Sequence, residues 1–456
     1  MSGIILGYNV GGHRSILYNR PAHLVTIAKT GGGKNTSVIM PNLLSNEFDG
    51  TKIILDLKGE NAAVCSYWKE KQGVGKAFRL NPWNIFDMGT IKFNPFALLD
   101  AESDRLFGDC KAFAEAIIPE RVGNDTAEHF DKLARKFISG FLFYFTIKNA
   151  PQTPNPADLY DELVFRTVSS DALKETIDEM SEFKHEDRHV NRTIKLAAMS
   201  METLTISSGS GKGSGEFRSM KTTLENALEC FENKILAQSV EADIEQSREL
   251  IDSLFHDKTG CNDLYISFPQ DEIKNSRVWL RLVLTALIRD NVARRPKRPV
   301  LFILDEFPQL GTFSMLKEAS AFLRGSNVRF WYFGQAISQF RENYGADGMQ
   351  TILQNCDVHQ YFNVSGETAE MVSKKIGMNK SVSRDMRTME FKNINKEEIM
   401  SPQEVERFKN ILNFVGGHPY FVTEKIPYFA NIDMEILAMP NPMFHGLQAF
   451  KNHIKE

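Results

Sequence analysis

An apolar run, Leu24 to Ala28, leads straight into Gly31-Gly32-Gly33-Lys34 and then into a helical stretch, and this strand–glycine turn–helix succession constrains the chain most. Backbone N–H groups can curl around an anion only where side chains are absent, so the glycines read as a phosphate cradle. Lys34 supplies the reaching cation, and a following helix turns its positive end toward the anion. The stretch departs from the usual G-x-x-x-x-G-K-[ST] pattern at two positions. Ala28 stands at the first glycine, and Asn35 follows the lysine where a magnesium-side hydroxyl is expected. Asn35 would offer an amide oxygen there, or Thr36 a hydroxyl; the bland reading is a glycine-rich turn that caps a helix.

A second stretch completes the first. Val300-Leu-Phe-Ile-Leu-Asp305-Glu306 is an apolar strand ending in two acids. Core packing gives no reason for paired carboxylates there, whereas a nucleotide site does; the bland reading is a strand followed by an ordinary acidic turn. Asp305 would hold Mg²⁺, and Glu306 would orient and deprotonate the attacking water. Gln335, after the apolar run Val328 to Phe333, reads as a γ-phosphate sensor or as a polar helix start. Arg324 reads as a cation acting on a neighbouring subunit's nucleotide or as a helix C-terminal cation. The expected phosphate-binding set is Thr30, Gly31, Gly32, Gly33, Lys34, Asn35, Thr36 and Asp305, with ATP and Mg²⁺ as ligands.

Around these motifs, short apolar strands alternate with helices: Lys52–Leu57, helix Asn61–Lys71, Ala77–Leu80, then Asp263–Phe268, helix Ser276–Arg289, Val300–Leu304, helix Ser314–Arg324, Val328–Phe333 and Val358–Val364. Such alternation predicts an α/β fold with a mainly parallel sheet covered on both faces. Between about Ala101 and Ile251 the apolar spacing turns helical, which predicts an inserted all-alpha domain. The expected division is residues 1–100, 101–257 and 258–456. Ser207 to Gly215, rich in glycine and serine, reads as a flexible loop. The basic run Arg289 to Arg298 reads as a solvated loop at the sheet edge away from the site.

Composition narrows the partners. The formal net charge of −4 provides no global basic field, so any DNA contact comes from a local patch or from pooled subunits. Five scattered cysteines suit reduced thiols and no zinc site. No signal peptide is read at the N-terminus. The most apolar stretch, Phe137 to Ile147, is far short of the ~20 residues that span a bilayer and reads as a buried helix.

Four ordered motifs resemble the type IV secretion coupling proteins, the VirD4/TraG family of conjugation ATPases. Val38-Ile-Met-Pro41-Asn42-Leu43-Leu44 is similar to that family's V-I-P-N-L-L, and Asp56-Leu-Lys58-Gly59-Glu60-Asn61 to its D-x-K-G-E-N. Leu304-Asp305-Glu306-Phe307-Pro308-Gln309-Leu310-Gly311 is similar to L-D-E-F-x-x-L-G. Gln335 to Gln339, Tyr344-Gly345 and Asn355-Cys356 follow its Q-S-x-x-Q, Y-G and N-C run. The resemblance implies a RecA-like P-loop NTPase with an all-alpha insertion and with nucleotide between subunits. It implies a homo-hexamer, either standing or formed only on DNA. It places Arg324 at the trans-acting arginine and Gln335 at the sensor. It implies transfer of single- or double-stranded DNA, with bound relaxase and in some cases protein effectors, to a type IV secretion channel. The expected location is cytoplasmic, at the inner face of the bacterial membrane through partners, since most members begin with transmembrane helices and none is read here. A substrate-recruiting receptor with weak or no ATPase activity, and an FtsK/HerA-type DNA pump, stand as the alternatives.

Overall fold

The computed structural model describes residues 3–12, 14–121, 125–206, 213–257, 260–384 and 391–455. Nine strands form one sheet. In chain order they are β3 (His23–Ile27), β4 (Thr51–Asp56), β5 (Ala77–Leu80), β6 (Asp263–Ser267), β7 (Val300–Leu304), β8 (Val328–Gly334), β9 (Cys356–Tyr361), β12 (Ile411–Val415) and β13 (Phe421–Thr423). Two hairpins lie outside it: β1 (Ile4–Tyr8) with β2 (Ser15–Tyr18), and β10 (Met378–Arg384) with β11 (Phe391–Glu398).

The sheet order is β13-β12-β9-β3-β8-β7-β4-β6-β5. The seven strands from β9 to β5 are all parallel; β12 and β13 add an antiparallel edge. Strands β3, β4, β6, β7 and β8 are buried along their whole length, as unbroken apolar runs require when helices cover both faces. This is the α/β, RecA-like P-loop architecture with a mainly parallel sheet. Its consequence for function is positional, because every parallel strand delivers its last residue to one edge.

A buried polar network fixes the register where β3, β8 and β9 meet. Trp331 donates to the Thr26 hydroxyl at 2.8 Å, and Thr26 donates to Gln360 Oε1 at 2.8 Å. The Gln360 amide donates in turn to the Leu6 carbonyl and to Asn413 Oδ1, both at 2.8 Å, which ties β1 and β12 to the sheet. Asn42 makes a second tie: its side chain accepts from Ile5 N–H at 2.8 Å and donates to Ile5 C=O at 2.9 Å. The hairpin β1–β2 therefore hangs on the helix after the glycine turn.

Among the described residues, every element between Leu106 and Phe255 is helical. Phe137, Phe141, Leu142 and Tyr144 sit buried inside the helix Asp125–Asn149, and no helix among the described residues is long and apolar enough to cross a membrane. The helical region and one face of the sheet share a single apolar cluster, which runs from Val25 and Ile53 through Phe96 and Phe113 to Phe141.

Several element limits differ from the sequence reading for identifiable reasons. The stretch after Lys34, which reads from sequence as a helix Thr36 to Leu44 interrupted by Pro41, opens as a π-turn, Asn35–Ile39, and restarts as the helix Met40–Leu43; Pro41 lacks the N–H that would continue the ladder. β9 stops at Tyr361 rather than Val364; Asn363 has φ of 48°, a left-handed conformation no strand contains. The helix read as Ser276–Arg289 spans Ile273–Ala293, so Arg289 is helical, not part of a loop. Its neighbours are paired rather than merely solvated: Arg289 with Asp109, Arg294 with Asp290 and Asp252, Arg298 with Asp49. Most of the glycine-serine stretch, residues 207–212, lies outside the described residues.

Candidate nucleotide site

The glycine turn leaves β3 with two residues in the left-handed region, Gly31 at φ 74° and Gly33 at φ 88°. A Cβ on Gly32 would stand 2.9 Å from the Lys29 carbonyl, so this glycine is required by space rather than by φ. Lys425 holds the loop from outside, donating to the Gly32 carbonyl at 3.2 Å and to Asn363 Oδ1 at 2.8 Å. The loop is thus shaped by glycines and buttressed by a lysine from the far end of the chain.

Lys34, only 7% exposed, donates to Glu306 Oε1 at 2.6 Å and lies 3.9 Å from Asp305 Oδ1. Gln335 donates its amide to the other Glu306 oxygen at 3.0 Å. Strand order explains the meeting: β8 lies between β3 and β7, so its end sets Gln335 between the lysine and the two acids. Gln335 is itself held by Gln339, whose Oε1 accepts from the Gln335 N–H at 2.9 Å.

Glu306 has φ of 49°, unusual for a residue with a side chain, and its N–H donates to Asp305 Oδ1 at 3.0 Å. The turn that imposes this conformation is braced by Phe307, fully buried against Tyr332, Phe340 and Tyr344. Asn343 adds a bond to the Pro308 carbonyl at 2.7 Å. The motif around Phe307 and the motif around Tyr344 are therefore two halves of one support.

On the far side of the loop, Asp56 ends β4. Burial raises its carboxyl to about 7, against the Ala62 N–H bond that favours the charged form; the charges of Asp305 and Glu60 push it further up. Asp305 is raised to about 6, again by burial first, with Lys34 opposing. Glu60 is buried and accepts from Asn35 Nδ2 at 3.3 Å and from Asn441 Nδ2 at 2.8 Å. Asn35 thus commits its amide nitrogen to Glu60, while Thr36 stands on the wall of the central cavity.

That cavity measures about 350 Å³ and is lined by Thr30, Gly31, Gly33, Lys34, Asn35, Thr36, Asp305, Glu306 and Gln335. Lys58, Glu60, Gln270, Gln309 and Phe444 line it as well. Ten of the eleven expected site residues belong to one neighbourhood, nine of them as lining and Gly32 as the turn's tight point. The eleventh, Arg324, lies in the short turn Leu323–Gly325, directly after the helix Ser314–Phe322, and its side chain lies outside the described residues. Sequence reasoning missed Lys425, Asn363, Asn441 and Phe444. All four come from the C-terminal part of the chain, where no motif surrounds them.

The donor set fits a magnesium nucleotide. One buried cation, Lys34, faces two carboxylates at the end of β7, and buried Asp56 and Glu60 add acids that a further cation would balance.

The sequence model of the family described as type IV secretory system conjugative DNA transfer matches residues 5–452. The chain belongs to this family. Among curated relatives, the conjugal transfer protein TraG of Escherichia coli is 26% identical over 386 residues, covering 81% of this chain and 57% of that protein. Protein VirD4 of Agrobacterium fabrum is 25% identical over 438 residues, covering 92% and 61%. The chain thus spans about three fifths of these relatives' length. Among solved structures, the bacterial conjugative coupling protein TrwBdeltaN70, in its unbound monoclinic form, superposes with a TM-score of 0.64 at 17% identity, over 89% of this chain and 85% of that one. The plasmid coupling protein TrwB in complex with ADP and Mg²⁺ gives 0.62 at 17%, over 90% and 86%. At that identity the likeness speaks for the fold.

Proposed function

We infer that the chain is an ATP-hydrolysing motor of conjugation. It would use hydrolysis to drive DNA, with bound relaxase and in some cases protein effectors, toward a type IV secretion channel. The observation that carries this reading is the chain Lys34–Glu306–Gln335, in which one buried cation and one amide hold the two oxygens of a single carboxylate. The arrangement makes sense as a resting pair. Lys34 transfers to the phosphates when ATP enters, which frees Glu306 to take a proton from water. Gln335 keeps hold of the second oxygen and so aims the carboxylate. Asp305 would hold Mg²⁺, which supplies charge neutralisation to the phosphates. The TrwB complexes with a non-hydrolysable ATP analogue and with ADP and Mg²⁺ support nucleotide binding in this fold.

The family further supports a homo-hexamer on DNA, with Arg324 reaching a neighbour's nucleotide, relaxase and channel proteins as partners, and recruitment to the inner membrane face. The test is steady-state ATP hydrolysis with and without single-stranded DNA, comparing wild type with Glu306→Gln. Wild-type turnover that rises on DNA and falls at least ~100-fold in the variant is the expected result. Wild-type turnover no higher than the variant's rejects the motor and leaves the substrate-recruiting receptor.

A further inference from the structure

We propose that the C-terminal segment completes the nucleotide site, with the ring of Phe444 serving as the stacking platform for the base. This rests on the nucleotide reading above and extends it to the end of the ligand that the glycine loop does not touch.

A nucleoside triphosphate has a charged end and a flat apolar end. The loop, Lys34 and the acids account for the charged end only. Of the described residues lining the cavity, Phe444 is the only aromatic one. It is also 74% exposed, so most of the ring is free to meet a ligand.

Its position is built rather than accidental. Asn441, fully buried, donates to Glu60 inside the cavity wall and accepts from the Met443 N–H at 3.0 Å, which starts the short helix Pro442–His445 carrying Phe444. Upstream, the Met439 N–H donates to the Val64 carbonyl at 3.0 Å. Downstream, Phe450 is fully buried and meets Tyr67 edge-on at 6.0 Å, and Lys451 pairs with Asp87. The segment is pinned on both sides of an exposed ring, and one of the pins, Glu60, also holds Asn35 of the phosphate loop. The same carboxylate thereby spaces the ring from the phosphate cradle.

Equilibrium binding to the full chain tests the proposal, with Mg²⁺-ATP and inorganic triphosphate as probes and Phe444→Ala and Phe444→Trp as variants. Stacking predicts that Phe444→Ala weakens ATP about tenfold. Triphosphate binding, which has no base to stack, stays at the wild-type level. Phe444→Trp retains ATP affinity, and ATP quenches its added indole emission while triphosphate does not. Equal ATP affinity in wild type and Phe444→Ala overturns the proposal and leaves the nucleotide reading intact. A parallel loss of ATP and triphosphate overturns it too, since the residue would then act on the phosphate end or on the fold. Failure of the wild type to bind either probe removes the nucleotide reading itself.

Discussion

Glu306 carries more than one duty. It follows the strand, adopts a left-handed backbone and accepts from Lys34 and Gln335; in the proposed function it would also activate water. A carboxylate held from both sides is oriented before substrate arrives, which lowers the cost of reaching the reactive geometry. Gln335→Ala keeps the ion pair but releases one oxygen. Loss of one hydrogen bond to a charged group predicts a fall in kcat of roughly 10- to 100-fold with KM little changed, checked by steady-state kinetics. The lysine and both acids were legible in sequence. Glycines before a lysine suit a phosphate better than they suit a helix start, and core packing does not ask for acids after an apolar strand. Asn35 was legible only as an oddity. Its bond to Glu60 depends on the chain returning past β4, and no local pattern encodes that. Lys425 and Asn441 left no trace at all, since each acts on residues at the opposite end of the chain.

Elements follow the same rule. The parallel strands could be read because burial on both faces demands unbroken apolar runs, as in β7 and β8. The antiparallel edge, β12 with β13, and the hairpin β1–β2 were not read. Their pairing rests on long-range ties such as the isolated bridge between Tyr8 and Glu424 and the Gln360–Asn413 bond. β9 shows what that edge contains. Burial, and then the charge of Lys375, lowers His359 from 6.5 to about 4, and the ring sits beside the Tyr361 hydroxyl and the Cys356 carbonyl, with Asp357 opposing. The unfolded chain binds this proton more readily than the folded one between pH 6.5 and about 4. Stability from this group is therefore complete above pH 6.5 and is lost as pH falls toward about 4. Denaturant midpoints measured across that window should decline in wild type, and part of the decline should vanish in His359→Gln.

Across the whole molecule, the helical region is joined to the nucleotide edge by arginine. Arg281, buried, donates to the Ala116 and Ile117 carbonyls at the end of one helix and to the Leu310 carbonyl in the turn after Glu306; Arg277 holds the Gln309 carbonyl. Burial, and then Arg277, lowers Arg281 to about 10. The turn after Glu306 and the end of that helix thus share one buried arginine. The ring itself is read from family resemblance, and its test is complementation. Lys34→Ala lacks the lysine proposed to bind phosphate but keeps Arg324; Arg324→Ala has the reverse defect. Each alone should hydrolyse little ATP on DNA. A mixture should regain part of the activity if the arginine acts across a subunit boundary. A mixture no better than its components places Arg324 in a helix-end role.

Lys34 and Glu306 stand as a part-buried ion pair, which the proposed function has ATP open, and the ATP affinity of Glu306→Gln is the sharpest measure of that proposal. Such a pair predicts hydrolysis abolished and ATP bound roughly tenfold tighter than by wild type, because Lys34 no longer has the nearer of its two carboxylates to leave. Weaker ATP binding with hydrolysis retained would contradict it.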